Sequence, residues 1–186
     1  MSNEICKTRR SLLKAGMALA LTGGLSARSA FAAFEQGKPA VRALAFYNLH
    51  TGESLKTDYW SEGNYLPDAL ADINHILRDH RNDQVLPIEP RLLDLLHGLR
   101  NTIDTTRPIQ IISGYRSPAT NAHLAANSNG VAKGSLHMQA KAIDLRVEGV
   151  PLNDLRRAAI ALNGGGVGYY PNSNFVHVDI GRVRTW

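Results

Sequence analysis

Cysteine is nearly absent from this 186-residue chain: the single one, Cys6, stands close to the N-terminus. A disulfide framework is thereby excluded, and so are a cysteine nucleophile and a thiolate metal site anywhere beyond that segment. Nor is there a run of the roughly 20 apolar residues that a membrane span needs. The best stretch, residues 15–21, is short and carries a glycine. No serine sits in a Gly-x-Ser-x-Gly elbow. The glycine run Gly164-Gly165-Gly166 closes a helical pattern instead of opening one and lacks the Gly-Lys-Ser/Thr that cradles phosphate. Excess charge is missing too. The net of +5 is mostly N-terminal: residues 1–32 hold Lys7, Arg9, Arg10, Lys14 and Arg28 against Glu4, which leaves 16 basic and 15 acidic residues in the rest. So balanced a chain gives no electrostatic case for nucleic-acid binding.

What the N-terminus does have is an export pattern. Lys7-Thr8-Arg9-Arg10-Ser11-Leu12-Leu13-Lys14 reads as a twin-arginine signal, followed by the short apolar run and then by Ala30-Phe31-Ala32, a small-x-small cleavage site. The expectation is a signal peptide over residues 1–32, removed after Ala32, with an uncleaved N-terminal anchor as the alternative. The mature protein, residues 33–186, would then be periplasmic, monomeric, without disulfides and without stable membrane insertion.

About 154 residues make one domain. After a polar lead-in at 33–39, residues 41–49 and 55–60 read as strands joined by the turn His50-Thr51-Gly52-Glu53-Ser54. Leu70, Ile73, Ile76 and Leu77 recur at helical spacing, which predicts a helix over 67–81 carrying His75 and His80 as solvated side chains. Pro90 starts a second helix, rich in leucine, with His97 on its surface. Residues 108–112 form a strand ending in Ser113-Gly114-Tyr115-Arg116-Ser117, a short helix follows over 118–127, and Asn129-Gly130 makes a turn. A last helix over 151–162 stops at the glycine run, and residues 167–170 and 175–180 are strands separated by a turn. Helices and antiparallel hairpins together give an α+β fold with a small antiparallel sheet flanked by helices.

The chemistry gathers in two strands. Ile143, Leu145 and Val147 alternate with Asp144 and Arg146, and Val176, Val178 and Ile180 alternate with His177 and Asp179. Paired, these strands would back the core with their apolar faces and set Asp144 beside His177 on the polar side. His137, seven residues before Asp144, lies within reach of a loop folded over that face. Two imidazoles and a carboxylate suit zinc and leave a coordination position open for water. His-x-Asp by itself is common in proteins that bind no metal. Arg116, at the end of its strand, either projects into a cleft or forms a structural ion pair.

Taken in combination, Ser-x-His-x6-Asp at 135–144, His-x-Asp at 177–179 and Ser-Gly-Tyr-Arg-Ser at 113–117 resemble the D-Ala-D-Ala (M15) family of zinc peptidases that act on bacterial cell-wall peptides. Residues 48–53, 165–171 and 174–176 place the resemblance in the murein endopeptidase (MepK) branch, and it extends over essentially the whole mature chain. It implies a hedgehog/D-Ala-D-Ala-peptidase-like fold with Zn2+ held by His137, Asp144 and His177. The substrate it implies is the peptide stems of peptidoglycan, including 3–3 links between diaminopimelates and, second, 4–3 links. Arg116 would bind substrate or polarise its carbonyl. Family members with Glu-x-x-His use that glutamate as general base, and here the position is Asn174, which takes no proton. Asp179, or failing it Glu53, is the expected replacement. The rival readings are a carboxypeptidase or dipeptidase of the same family and a non-catalytic wall-binding module.

Overall fold

The computed structural model describes residues 40–127 and 132–186. The export segment, the lead-in and the Asn129-Gly130 turn lie outside the described residues.

One sheet organises the rest. Its strands are β1 (Val41–Asn48), β2 (Ser54–Ser61), β3 (Asn64–Tyr65), β4 (Ile109–Ser113), β5 (Ala142–Val147), β6 (Gly166–Tyr170), β7 (Phe175–Asp179) and β8 (Arg184–Thr185). They lie in the order β3-β2-β1-β4-β5-β7-β6-β8. The sheet is larger than the small antiparallel one expected from sequence. β1 runs parallel to β4 and β6 parallel to β8, while the other pairings are antiparallel. The two-residue strands β3 and β8 are too short to leave a period-two signal.

Helix α1 (Pro67–Ile76) packs on β2, α2 (Pro90–Thr102) on β1, and α4 (Leu152–Ala161) on β5, β6 and β7. Helices α2 and α4 also touch each other, so they share one face of the sheet. Leu92, Leu93, Leu96 and Leu99 of α2 and Leu155, Ala158 and Ala159 of α4 are buried there with Leu44, Phe46, Ile109, Ile111, Ile143, Leu145, Val176 and Val178 of the strands. Because side chains alternate along a strand, the neighbours of these residues, Asp144, His177 and Asp179 among them, point to the opposite face.

Helix α1 stops five residues short of the expected end, because tertiary partners take the carbonyls that its last turn needs. The carbonyl of Ile76 accepts from Asn48 Nδ2 (3.0 Å), and that of Leu77 accepts from Tyr115 N (2.8 Å). Arg81 N turns to Asp79 Oδ1 instead (3.1 Å). His80 therefore sits in a turn, not on a helix, with its ring stacked on His50 at 3.9 Å. Burial, chiefly, lowers its pKa to about 4.

The same clamp sets the 113–117 loop. A side chain on Gly114 would collide with the Leu77 carbonyl, so glycine is what allows the approach. Asp79, 1% exposed, accepts from Ser117 N at 2.9 Å. Helix α3 (Pro118–Asn127) begins at that point.

Candidate metal centre

Strands β5 and β7 pair with Asp144 directly opposite His177. A one-residue slip would move both side chains to the packed face, so the buried valines and isoleucine that set the register also assemble the site. His137 arrives from the other side of the cavity on a 3₁₀ turn, Leu136–Gln139, that rests against β5. Ser135 Oγ accepts from His137 N to start that turn, and Ala140, in the left-handed region at φ 53°, ends it. His137 Nε2 comes to 3.2 Å from both Asp144 Oδ1 and His177 Nδ1, and His177 Nδ1 to 2.8 Å from Asp144 Oδ1. All three residues are buried.

The outer sides of the rings decide what the inner sides present. His137 Nδ1 lies 2.7 Å from the Gly114 carbonyl, which only accepts, so that nitrogen carries the proton. His177 Nε2 lies 3.0 Å from Asp179 Oδ2, also an acceptor, so that nitrogen carries one too. In the neutral rings the inner nitrogens are then bare lone pairs, facing each other and a carboxylate oxygen with no hydrogen between them. Such a set is self-repelling until a cation, or an added proton on a facing ring, enters it. Two imidazole nitrogens and one carboxylate oxygen fit zinc, with a fourth position toward the cavity. Burial works against ionising Asp144, yet the facing histidines hold its carboxyl well below the usual range. Burial likewise opposes protonation of His177, and the two flanking aspartates outweigh it and raise its pKa.

Arg116 is brought to the site. It is 8% exposed, its Nη2 is 3.7 Å from Asp144 Oδ2, and its Nη1 donates to Asn121 Oδ1 at 3.3 Å. Its Nε is buried with no hydrogen-bond partner among the described residues.

Asp179 is not open to the cavity. Fully buried, its two oxygens accept from His177 Nε2, from Gly166 N (3.1 Å), from Gly181 N (2.8 Å) and from both terminal nitrogens of Arg184 (3.1 and 2.7 Å). Burial raises the pKa of this carboxyl, but those donors carry it well below the usual range. Glu53 stays in the β1–β2 turn, gripped by Arg78 at 2.7 and 3.2 Å and by Thr51 Oγ1 at 2.7 Å, outside the cavity lining. Asn174, exposed at φ 53°, lies outside it as well.

The cavity over the triad measures ≈ 430 Å³. Arg116, His137, Asp144 and His177 line it together with Ser135, Tyr170, Phe175, Arg184 and Trp186. Sequence reasoning did not reach Arg184 or Trp186. Both lie in or just beyond β8, where no periodicity marks them. The one available sign was the concentration of Arg182, Arg184 and Trp186 in a segment without apolar alternation.

A family model described as peptidoglycan L,D-endopeptidase MepK matches residues 36–186. The chain is 44% identical over 178 residues to the peptidoglycan L,D-endopeptidase MepK of Escherichia coli K12, covering 96% of each chain, and equally so to that of Shigella flexneri. It is 39% identical over 185 residues to a probable peptidoglycan L,D-endopeptidase MepK of Haemophilus influenzae, covering 99% of this chain and 98% of that one. No solved structure matches significantly.

Proposed function

Because this chain belongs to the family described as peptidoglycan L,D-endopeptidase MepK, we propose that it is a zinc-dependent hydrolase of peptide cross-links in peptidoglycan, 3–3 links between diaminopimelates among them. The observation that carries the metal part of this reading is the pair of imidazole lone pairs and the carboxylate oxygen converging within 3.2 Å.

His137, Asp144 and His177 would hold the ion. Zinc bound there lowers the pKa of a water from about 16 to about 7 and polarises a carbonyl. Arg116 faces the same cavity as the ligands, and its buried guanidinium supplies fixed positive charge for the oxyanion that amide attack creates. The Gly114 carbonyl holds His137 in the tautomer whose Nε2 is free, and Asp179 does the same for His177 Nδ1. With five donors already on its oxygens, Asp179 orients a ligand and shuttles no proton. Glu53 is committed to Arg78 outside the cavity and has no part in the reaction.

The protein works in the periplasm as a monomer, exported by its twin-arginine segment and trimmed after Ala32. No helix among the described residues is long and apolar enough to cross a membrane.

The test is to incubate zinc-loaded residues 33–186 with purified sacculi and to weigh the products. Cross-linked dimers should become monomers, and His137→Ala should lose zinc and activity together. Release of single terminal residues instead would make the protein a carboxypeptidase. Sacculus binding with no product, unaffected by chelation, would make it a wall-binding module.

A further inference from the structure

The side of the cavity next to His177 is built from aromatic rings, and its construction starts in the backbone. Gly168 of β6 pairs with His177 of β7. Its missing side chain matters, because a Cβ there would come to 2.7 Å from the indole of Trp186. Onto this bare patch β8 carries Trp186, whose main chain continues the sheet through Trp186 N to the Val167 carbonyl (3.2 Å) and Tyr169 N to the Trp186 carbonyl (3.0 Å). The indole lies 5.3 Å from the His177 ring, and its Nε1 donates to Tyr170 Oη at 2.8 Å. The Arg184 guanidinium sits 4.8 Å from the indole centre. Tyr170 in turn stacks on Phe175 at 4.5 Å. Trp186 is held on several sides and still 47% exposed.

We propose that Trp186, continued by Tyr170 and Phe175, is a specificity-determining wall that receives an unbranched aliphatic side chain beside the scissile bond. The inference rests on the peptidase reading of the metal centre. Distance sets which part of the substrate is met. An extended chain advances about 3.3–3.6 Å per residue, so a ring 5.3 Å from a ligand imidazole touches the residue flanking the cleaved bond, not one several positions away. Chemistry sets the kind of side chain. The wall is mostly aromatic ring surface, and the indole N–H is already spent on the Tyr170 hydroxyl. A straight stem of methylenes lies along such a surface, whereas alanine leaves it wet.

The experiment uses two synthetic L,D-linked peptides that differ only beside the scissile bond, norleucine in one and alanine in the other. Zinc-loaded wild type should prefer norleucine in kcat/KM by about tenfold, the effect of two to three methylenes covered on one side. Trp186→Ala should remove most of that preference, with the change carried in KM and zinc content at the wild-type level. Trp186→Phe should retain an intermediate preference, and it keeps the test open should the alanine variant fold poorly. A preference that survives in both variants, or rates for the two peptides that fall in equal proportion, would overturn the assignment. Failure of wild type to cut either peptide or sacculi would remove the peptidase reading and this inference with it.

Discussion

Asp144 and Asp179 grip the same imidazole from opposite sides. Both are buried, both point to the same face of neighbouring strands, and both are held ionised against the cost of burial. They differ in who answers their charge. Asp179 is answered by the protein: two backbone amides, a guanidinium and the His177 N–H. Asp144 is answered by two imidazoles whose own protons point elsewhere and by Arg116 at 3.7 Å, and it opens on the cavity. One carboxylate has every oxygen answered by donors of the fold, and the other faces a cavity with room for a cation between it and two imidazoles. A buried charge is costly unless paired, so the one facing the cavity marks where the ligand belongs and the one answered by the fold marks the frame that aims it.

Removing the cavity-facing carboxylate should have the largest effect. Asp144→Asn would take away a ligand oxygen and the negative charge that gathers the cation, and sacculus digestion should fall to the chelated background. Bound zinc measured by atomic absorption should fall with it. Asparagine matches aspartate in size, so the loss should come from missing charge and ligand oxygen and not from a misshapen site. A variant that kept its zinc and its activity would break the contrast between the two aspartates.

Asp179→Asn comes next. Its amide nitrogen faces groups that already donate, so His177 either loses its partner or protonates at Nδ1, where the lone pair is needed. Loss of such a partner costs roughly 10–100-fold in metal affinity. Chelator competition should show that drop, and excess zinc should restore most of the activity. Activity lost at saturating zinc would instead return Asp179 to the role of general base.

This pair of aspartates also shows how much the sequence revealed. Alternation across 142–147 and 175–180 gave both strands, their polar faces and the pairing of Asp144 with His177, since a two-residue period is legible wherever one face is packed. The same alternation put Asp179 on the His177 face and so suggested a base. What periodicity does not carry is the far side of that carboxylate. Gly166 opens β6, Gly181 lies in a loop and Arg184 in a two-residue strand, and nothing local announces that they converge. The overlong reading of α1 has a similar cause, because Asn48 and Tyr115 claim the carbonyls of Ile76 and Leu77 from 28 and 38 residues away in sequence. Glu53 was drawn in by its place in a resembling motif, and only the pairing with Arg78 shows that its charge is used elsewhere.

Arg184→Gln sharpens the comparison further, with a smaller effect. Asp179 would lose its two guanidinium contacts and keep His177 and both amides, so His177 should remain aimed. Zinc affinity should fall by less than about tenfold, below the range for losing the orienting carboxylate itself. Stability should drop by about 1–3 kcal/mol, the cost of leaving a buried charged acceptor short of donors, as read by urea denaturation of the zinc-loaded protein.

Glu53→Gln should do least. Glu53 is a third ionised carboxylate, held down to about 2 first by Arg78 and then by Thr51, with burial opposing. Its side chain is 38% exposed, and water screens the pair. Arg78 also keeps Asp83 at 2.9 Å when the glutamate is gone. An exposed pair of this kind contributes at most about 1 kcal/mol, and the sacculus-digesting rate should stay within about twofold of wild type. A carboxyl with a lowered folded-state pKa stabilises the protein above its ordinary value of 4.5 and stops doing so as pH falls toward 2. The stability gap between wild type and Glu53→Gln should therefore be full at pH 7 and shrink on acidification toward pH 3. A variant that kept its zinc and its stability yet digested nothing would place Glu53 in the reaction after all. Its ion pair with Arg78 would then have to open when substrate binds.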